Sequence, residues 1–297
     1  MKLAAAFVTL ALFAGQAGLP ASAAAAPGKT AVVYDKAYIQ HDETWSGEIT
    51  LIGQNVVKRG CTLTILPGTV VKFPWVDEDK NGIGDGELTI EGRIIAKGTK
   101  DRPIVFTSAQ PKPKIKDWTF VQIAMSKNSI VEYCKFEYAF TGLQVHYSTG
   151  TIKDNLFTNN FEGMRFSTTD VLIAHNDFIN NNFGIRFEAL GSRTTIRKNV
   201  FRGNGQTFFP VRKTWNSVKI YDNDILDSKE YAVNFGMNQK QDIDFTNNWW
   251  GTTDASAIEA LIYDKSKDNT LGKADFIPFL KRPVKDCGIE QGGGRPE

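Results

Sequence analysis

The chain has 297 residues, 41% of them hydrophobic, so it can bury a core and disorder is not its default state. Its 35 basic and 33 acidic residues leave a formal charge of +2, which supplies no basic face of the kind that holds nucleic acid. Three cysteines, Cys61, Cys134 and Cys287, are too few for a disulfide framework.

The chain opens with Lys2, an apolar run to Phe13, and the small residues Ala21-Ser22-Ala23. That is the pattern of a secretory leader, so residues 1–23 are expected to be a signal peptide. No later apolar run reaches the ~18–20 residues of a membrane span. The expected destination is secreted: periplasmic, extracellular or cell-surface.

Residues 27–60 alternate apolar positions (Val32, Val33, Ile49, Leu51) and read as first strands or an N-terminal cover. Thr62–Phe73 is echoed by Leu88–Thr99, each two short strands about a glycine turn. Pro103–Thr107 is another strand, residues 110–117 a polar loop with two prolines, and Trp118–Ile123 resumes the strands. Trp45, Trp75 and Trp118 either stack on sugar rings or cap the N-terminal end of the core.

Between the two echoed segments lies Asp77-Glu-Asp79-Lys-Asn81-Gly82-Ile83-Gly84-Asp85-Gly86-Glu87. Oxygen-bearing side chains at alternate positions, with Gly82 permitting a sharp turn, match most of an EF-hand-like calcium loop. The expected ligands of a structural Ca2+ are Asp77, Asp79, Asn81, Asp85 and the Ile83 carbonyl. Leu88 stands where the bidentate glutamate belongs, and Glu87 or Asp85 would substitute.

From residue 129 a repeat takes over: apolar, two residues, Asn, one residue, large apolar. Its copies end in Cys134-Lys-Phe136, Asn155-Leu-Phe157, Asn176-Asp-Phe178, Asn199-Val-Phe201, Asn223-Asp-Ile225 and Asn248-Trp-Trp250. Successive copies lie 21, 21, 23, 24 and 25 residues apart, the drifting period of a solenoid. Stacked coils put asparagine over asparagine, where amides donate and accept along the axis and serve turn backbone groups. The Phe column is expected to stack in the interior. Cys134, in the Asn column, is expected to be a buried thiol.

Each coil has a second half: Gly142-Leu-Gln-Val-His146, Gly163-Met-Arg-Phe-Ser167 and Gly184-Ile-Arg-Phe-Glu188, read as a glycine turn and a strand. Leu143/Val145, Met164/Phe166 and Ile185/Phe187 point inward. One outward column is then Gln144, Arg165, Arg186, Pro210, Asn234; the next is His146, Ser167, Glu188, Arg212. Two guanidiniums one strand spacing apart repel unless an anion joins them. That anion is either a uronate or sulfate of a polysaccharide, making Gln144, His146, Arg165, Arg186 and Glu188 a ligand face, or the protein's own Glu188.

After Thr252 the spacing of Ile258, Leu261 and Ile262 predicts a short helix capped by Thr253 or Asp254, part of a C-terminal cover over residues 253–280. Residues 281–297, with Cys287, read as a loose tail. The β-helix domain is thus expected over residues 24–280.

The echoed segments, Pro103-Ile-Val-Phe-Thr-Ser108, the Asn-x-Phe repeats and Asn247-Asn248-Trp249-Trp250-Gly251 resemble bacterial right-handed parallel β-helix proteins of the pectate-lyase-like superfamily, over about residues 45–280. The resemblance implies an all-β solenoid with a short C-terminal helix. It implies no single activity, because relatives include lyases, hydrolases, epimerases, a copper-insertion accessory protein and adhesins. The Asp-Pro-His-Asp motif of mannuronan epimerases, the calcium-binding Asp cluster and Arg motif of pectate lyases, and a His/Met copper cluster are not found here. The expectation is therefore a non-catalytic exported protein that presents a flat face to an acidic polysaccharide or a surface protein. The alternatives are a polysaccharide lyase or epimerase with His146 or Tyr147 as base, and a structural component of a surface assembly joined through Cys287 or the tail.

Overall fold

A computed structural model describes residues 32–188, 191–214, 217–236 and 238–289, all within one compact unit, Ala31–Glu297. The expected signal peptide lies outside the described residues. Apart from one two-stranded pair, the strands form three parallel sheets of nine, ten and eight strands. The first sheet runs from Val32–Asp35 to Asp224–Leu226, the second from Tyr38–Ile39 to Ile262–Tyr263, and the third from Glu43–Trp45 to Lys219–Tyr221. A coil visits third, first and second sheet in turn, as in Ser129–Glu132, Cys134–Glu137 and Ala139–His146.

A coil therefore has three strands, not two. The short apolar step after the asparagine is itself a strand, because its residues alternate: Phe136, Phe157, Phe178 and Phe201 go inward, and their neighbours stay on the outer side. Register places these rings directly over one another. From Phe106 to Phe201 they stack at centroid separations of 4.7, 5.0, 4.7 and 4.8 Å. Offset stacking of such rings adds about 0.5–1.5 kcal/mol per pair beyond area burial.

Corners hold the coils. The residue before each asparagine (Asp154, His175, Lys198, Asp222, Asn247) has a left-handed φ of 53–57°, which turns the chain from the third sheet to the first. The following asparagine spans two coils. Its Oδ1 accepts the backbone N–H of Cys134, Asn155, Asn176, Asn199 and Asn223 in turn, at 2.8–3.0 Å. Its Nδ2 donates to the carbonyls of Val131, Ile152, Ile173, Ile196 and Ile220. Neighbouring amides also bond to each other. Cys134 ends the column, buried, its thiol pushed up by that burial.

A second ladder, Asn160–Asn181–Asn204, serves the corner between first and second sheets in the same way. It binds the carbonyls of Phe136, Phe157 and Phe178. The third corner uses hydroxyls: Ser148 accepts from Ser126 N and Ser192 from Thr169 N. The glycines of the second-half repeat are not the turns. Gly142, Gly163 and Gly184 lie inside strands, where a Cβ would meet the next coil's backbone oxygen at 2.7 Å and a Phe ring of the stack at 3.0–3.3 Å.

Trp45 and Trp118 belong to the core, Trp118 stacked on Phe73 at 4.3 Å, whereas Trp75 is exposed. The C-terminal helix is Ala255–Ala260, capped by Asp254, with Ile258 buried. Ile262–Tyr263 then adds the last strand to the second sheet. Residues 281–289 do not hang loose. They run back over three coils: Val284 N donates to Asp224, Gly288 N to Lys198 O and Ile289 N to Asp177. Cys287 is 4% exposed, its thiol donating to Asn199 O at 3.2 Å. A disulfide from it to a second chain would first require this segment to lift.

Asn176→Ala leaves donors and acceptors of two coils without partners. It is expected to lower stability by on the order of 3 kcal/mol, measured by denaturant unfolding.

Candidate functional site

The outer face of the second sheet carries the polar side chains singled out by the sequence. Register sets Gln144 beside Arg165 and Arg165 beside Arg186, and next to them His146, Ser167 and Glu188. The following member of the arginine column is Phe209, not Pro210: Pro210 pairs with Phe187 and is buried. The alignment was one residue out, and a one-residue slip exchanges the two faces of a strand. Arg186 lies over the Phe209 ring, 5.4 Å from its centroid.

The anion between the guanidiniums is Glu162, fully buried, which the sequence reading missed. Its Oε1 accepts from Arg165 Nη2 and from Arg186 Nη1, the latter at 3.0 Å, and its Oε2 from Thr141 Oγ1 at 2.8 Å. Strict alternation puts residues 162 and 165 on opposite faces. They share one because Gly142 is an extra residue against the strand Trp118–Ala124, and Gly163 and Gly184 repeat that bulge. The arginine side chains remain 29% and 31% exposed. Glu188 is taken by Arg212 at 3.0 Å. Here the protein supplies its own counter-ions, with two guanidiniums on one carboxylate.

Beside this column runs a row of half-buried rings, Phe140, Phe161, Phe183 and Phe209, with centroids 5.1, 5.5 and 5.3 Å apart. Lys116, from the 110–117 loop, sits 4.4 Å from the Phe161 centroid. The signal was present in the sequence as a Phe one or two residues before each second-half glycine.

His146 Nδ1 meets Ser167 Oγ at 2.7 Å and His146 Nε2 meets Gln144 Oε1 at 3.2 Å. Burial first, and the Arg165 charge second, hold its pKa below the ordinary histidine value. The imidazole is therefore neutral at neutral pH. An amide oxygen only accepts, so Nε2 carries the proton and Nδ1 is the acceptor facing Ser167.

The acidic insertion forms a separate group. Asp77, Asp79 and Asp85 each bring an oxygen within 4.8 Å of the others. Asp77 and Asp79 accept from Asn81 N, Asp77 from Gly82 N, and Asn81 Oδ1 from Ile83 N. Gly82 supplies the turn with φ +79°. Glu87 is not with them; it takes a hydrogen bond from Gln54, and burial raises its pKa. Leu88 is in the core. Three carboxylates thus converge as a hard-cation donor set would, while Asn81 Oδ1 is turned to Ile83 N and no bidentate ligand stands at the twelfth position. Lys36, Gln54 and Glu78 complete a cleft of about 340 Å³ beside it.

The stacked parallel sheets define a β-helix solenoid. Two family models match the chain: a right handed beta helix region over residues 114–250 and a pectate-lyase like beta helix domain over residues 37–152. Over those residues the chain is thus similar to right-handed and pectate-lyase-like β-helix domains, and neither model names a specific enzyme family. Searches of curated proteins and of solved structures returned no significant match.

Two measurements check this geometry. Glu162→Gln strips the shared carboxylate from two guanidiniums and is expected to cost about 3 kcal/mol in an unfolding titration. The His146 imidazole, followed by NMR, should titrate below the ~6.5 of an unperturbed histidine. A folded-state pKa depressed in this way means stability falls as pH drops through ~6.5.

Proposed function

We propose that the protein is exported and uses the outer face of the second sheet to bind a linear acidic carbohydrate without cleaving it. The observation that carries this reading is the sharing of one buried carboxylate by Arg165 and Arg186 beside a row of phenylalanine rings. One positive charge of the pair is left over for a uronate, which guanidinium forks bind bidentately. The rings offer apolar surface to sugar faces, and successive coils repeat the offer along a flat, extended strip about one strand spacing at a time. Asp77, Asp79 and Asp85 order the insertion around a structural Ca2+ in this reading. The leader pattern of residues 1–23 supports export. Among the described residues, no helix is long and apolar enough to cross a membrane.

Affinity electrophoresis through polyuronate gels tests the face. Wild type is expected to be retarded, and Arg186→Ala or Phe183→Ala to weaken binding about tenfold, or ~1.4 kcal/mol. Retardation equal in all three removes the proposed face. The same incubations followed for unsaturated-uronate absorbance separate the binder from the lyase alternative, the binder producing none. Calcium titrated to millimolar levels is expected to give binding heat that Asp77→Asn abolishes, and a silent wild type removes the ion.

A further inference from the structure

We propose that Ser167, His146 and Gln144 form a nucleophile–base–orienter triad, and that this face hydrolyses carboxylic esters. Three observations carry it. Ser167 Oγ and His146 Nδ1 are at 2.7 Å, a hydrogen-bonding distance at which the ring can take the hydroxyl proton. Gln144 Oε1, on the other ring nitrogen at 3.2 Å, accepts only and so fixes the tautomer that leaves Nδ1 bare toward the serine. Gln144 is 7% exposed, so its amide is held by packing. The trio is locked by sheet register: His146 and Ser167 are paired residues of adjacent parallel strands, and Gln144 sits two residues before His146 on the same face.

The surroundings suit the chemistry. The imidazole stays neutral, as a general base must at neutral pH, because burial and Arg165 disfavour its charge. The charge that acts on it is Arg165 from its neighbouring strand. On the other side it pairs with Ala124, which brings no charge. Arg165 lies two residues before Ser167 on that face, about 6.6 Å along the strand, and its charge reaches the His146 ring. Glu162 holds its guanidinium, and Thr141 in turn donates to Glu162.

The reaction balances with water alone. Ser167 Oγ attacks the ester carbonyl and its proton passes to His146 Nδ1. The carbonyl–alkoxy bond breaks, and the alcohol leaves with that proton. Water then gives a proton to Nδ1 and its oxygen to the acyl carbon. Ser167 Oγ departs and recovers the proton, and the acid is released. The natural substrate class is an O-acylated acidic carbohydrate lying on the phenylalanine row, and that part rests on the binding reading above. The triad itself does not.

The test uses the full chain, a fluorophosphonate probe and p-nitrophenyl acetate. Neither reagent carries a uronate, so the result is independent of polyuronate binding. The expected result is a probe adduct mapped by mass spectrometry to Ser167, with ester turnover falling on the order of 10²–10⁴-fold in Ser167→Ala and in His146→Ala at unchanged melting temperature. Gln144 is a positioning residue. Gln144→Ala should cost less turnover and shift the imidazole ¹⁵N signals toward a mixture of tautomers. An unlabelled Ser167 in wild type, or hydrolysis undiminished in Ser167→Ala, overturns the proposal.

Discussion

The structure depends on the vertical hydrogen bonds of its corners. Each coil of a solenoid touches mainly its neighbours, so each must be indexed on the next. The asparagine at the corner does this by accepting a backbone N–H from the coil before it and donating to a carbonyl of that same coil. A carboxylate there would have no N–H to give, and stacked copies would repel. Once the corner is set, the Phe rings fall into one stack and like side chains fall into columns along every face.

Columns turn sequence variation into a surface. The interior tolerates little change because each ring lies within about 5 Å of its copies above and below. Chemistry is confined to the outer faces, where a substitution in one coil lands beside a chosen residue of the next. Glu162 shows how this works. One carboxylate, placed by a bulge where the coil above has Thr141 and the coil below Phe183, holds two arginines from successive strands. The same register sets Ser167 against His146.

Much of this was legible from the chain. The Asn-x-Phe period gave the solenoid, the first ladder and the interior stack, because strictly vertical stacking makes sequence period and spatial neighbour the same thing. The arginine column was legible for the same reason. Glu162 and the Phe140–Phe161–Phe183 row were not, because the bulge at Gly142, Gly163 and Gly184 suspends alternation there. The second ladder, Asn160–Asn181–Asn204, lay in the polar stretch just before each second-half glycine, which reads as a glycine turn. Nor could composition show that residues 281–289 pack back over three coils; a Gly- and Lys-containing tail gives no periodic signal, and its anchors are backbone groups.

The central claim is that the outer face of the second sheet is the working surface. Hydroxyl-radical footprinting with and without a polyuronate tests it most directly, because it reads side-chain exposure ring by ring. The account predicts protection concentrated on Phe161, Phe183 and Phe209, with Trp75 and Tyr221, exposed elsewhere on the solenoid, unchanged. Protection at Trp75 or Tyr221, with the phenylalanine row unaffected, would contradict it.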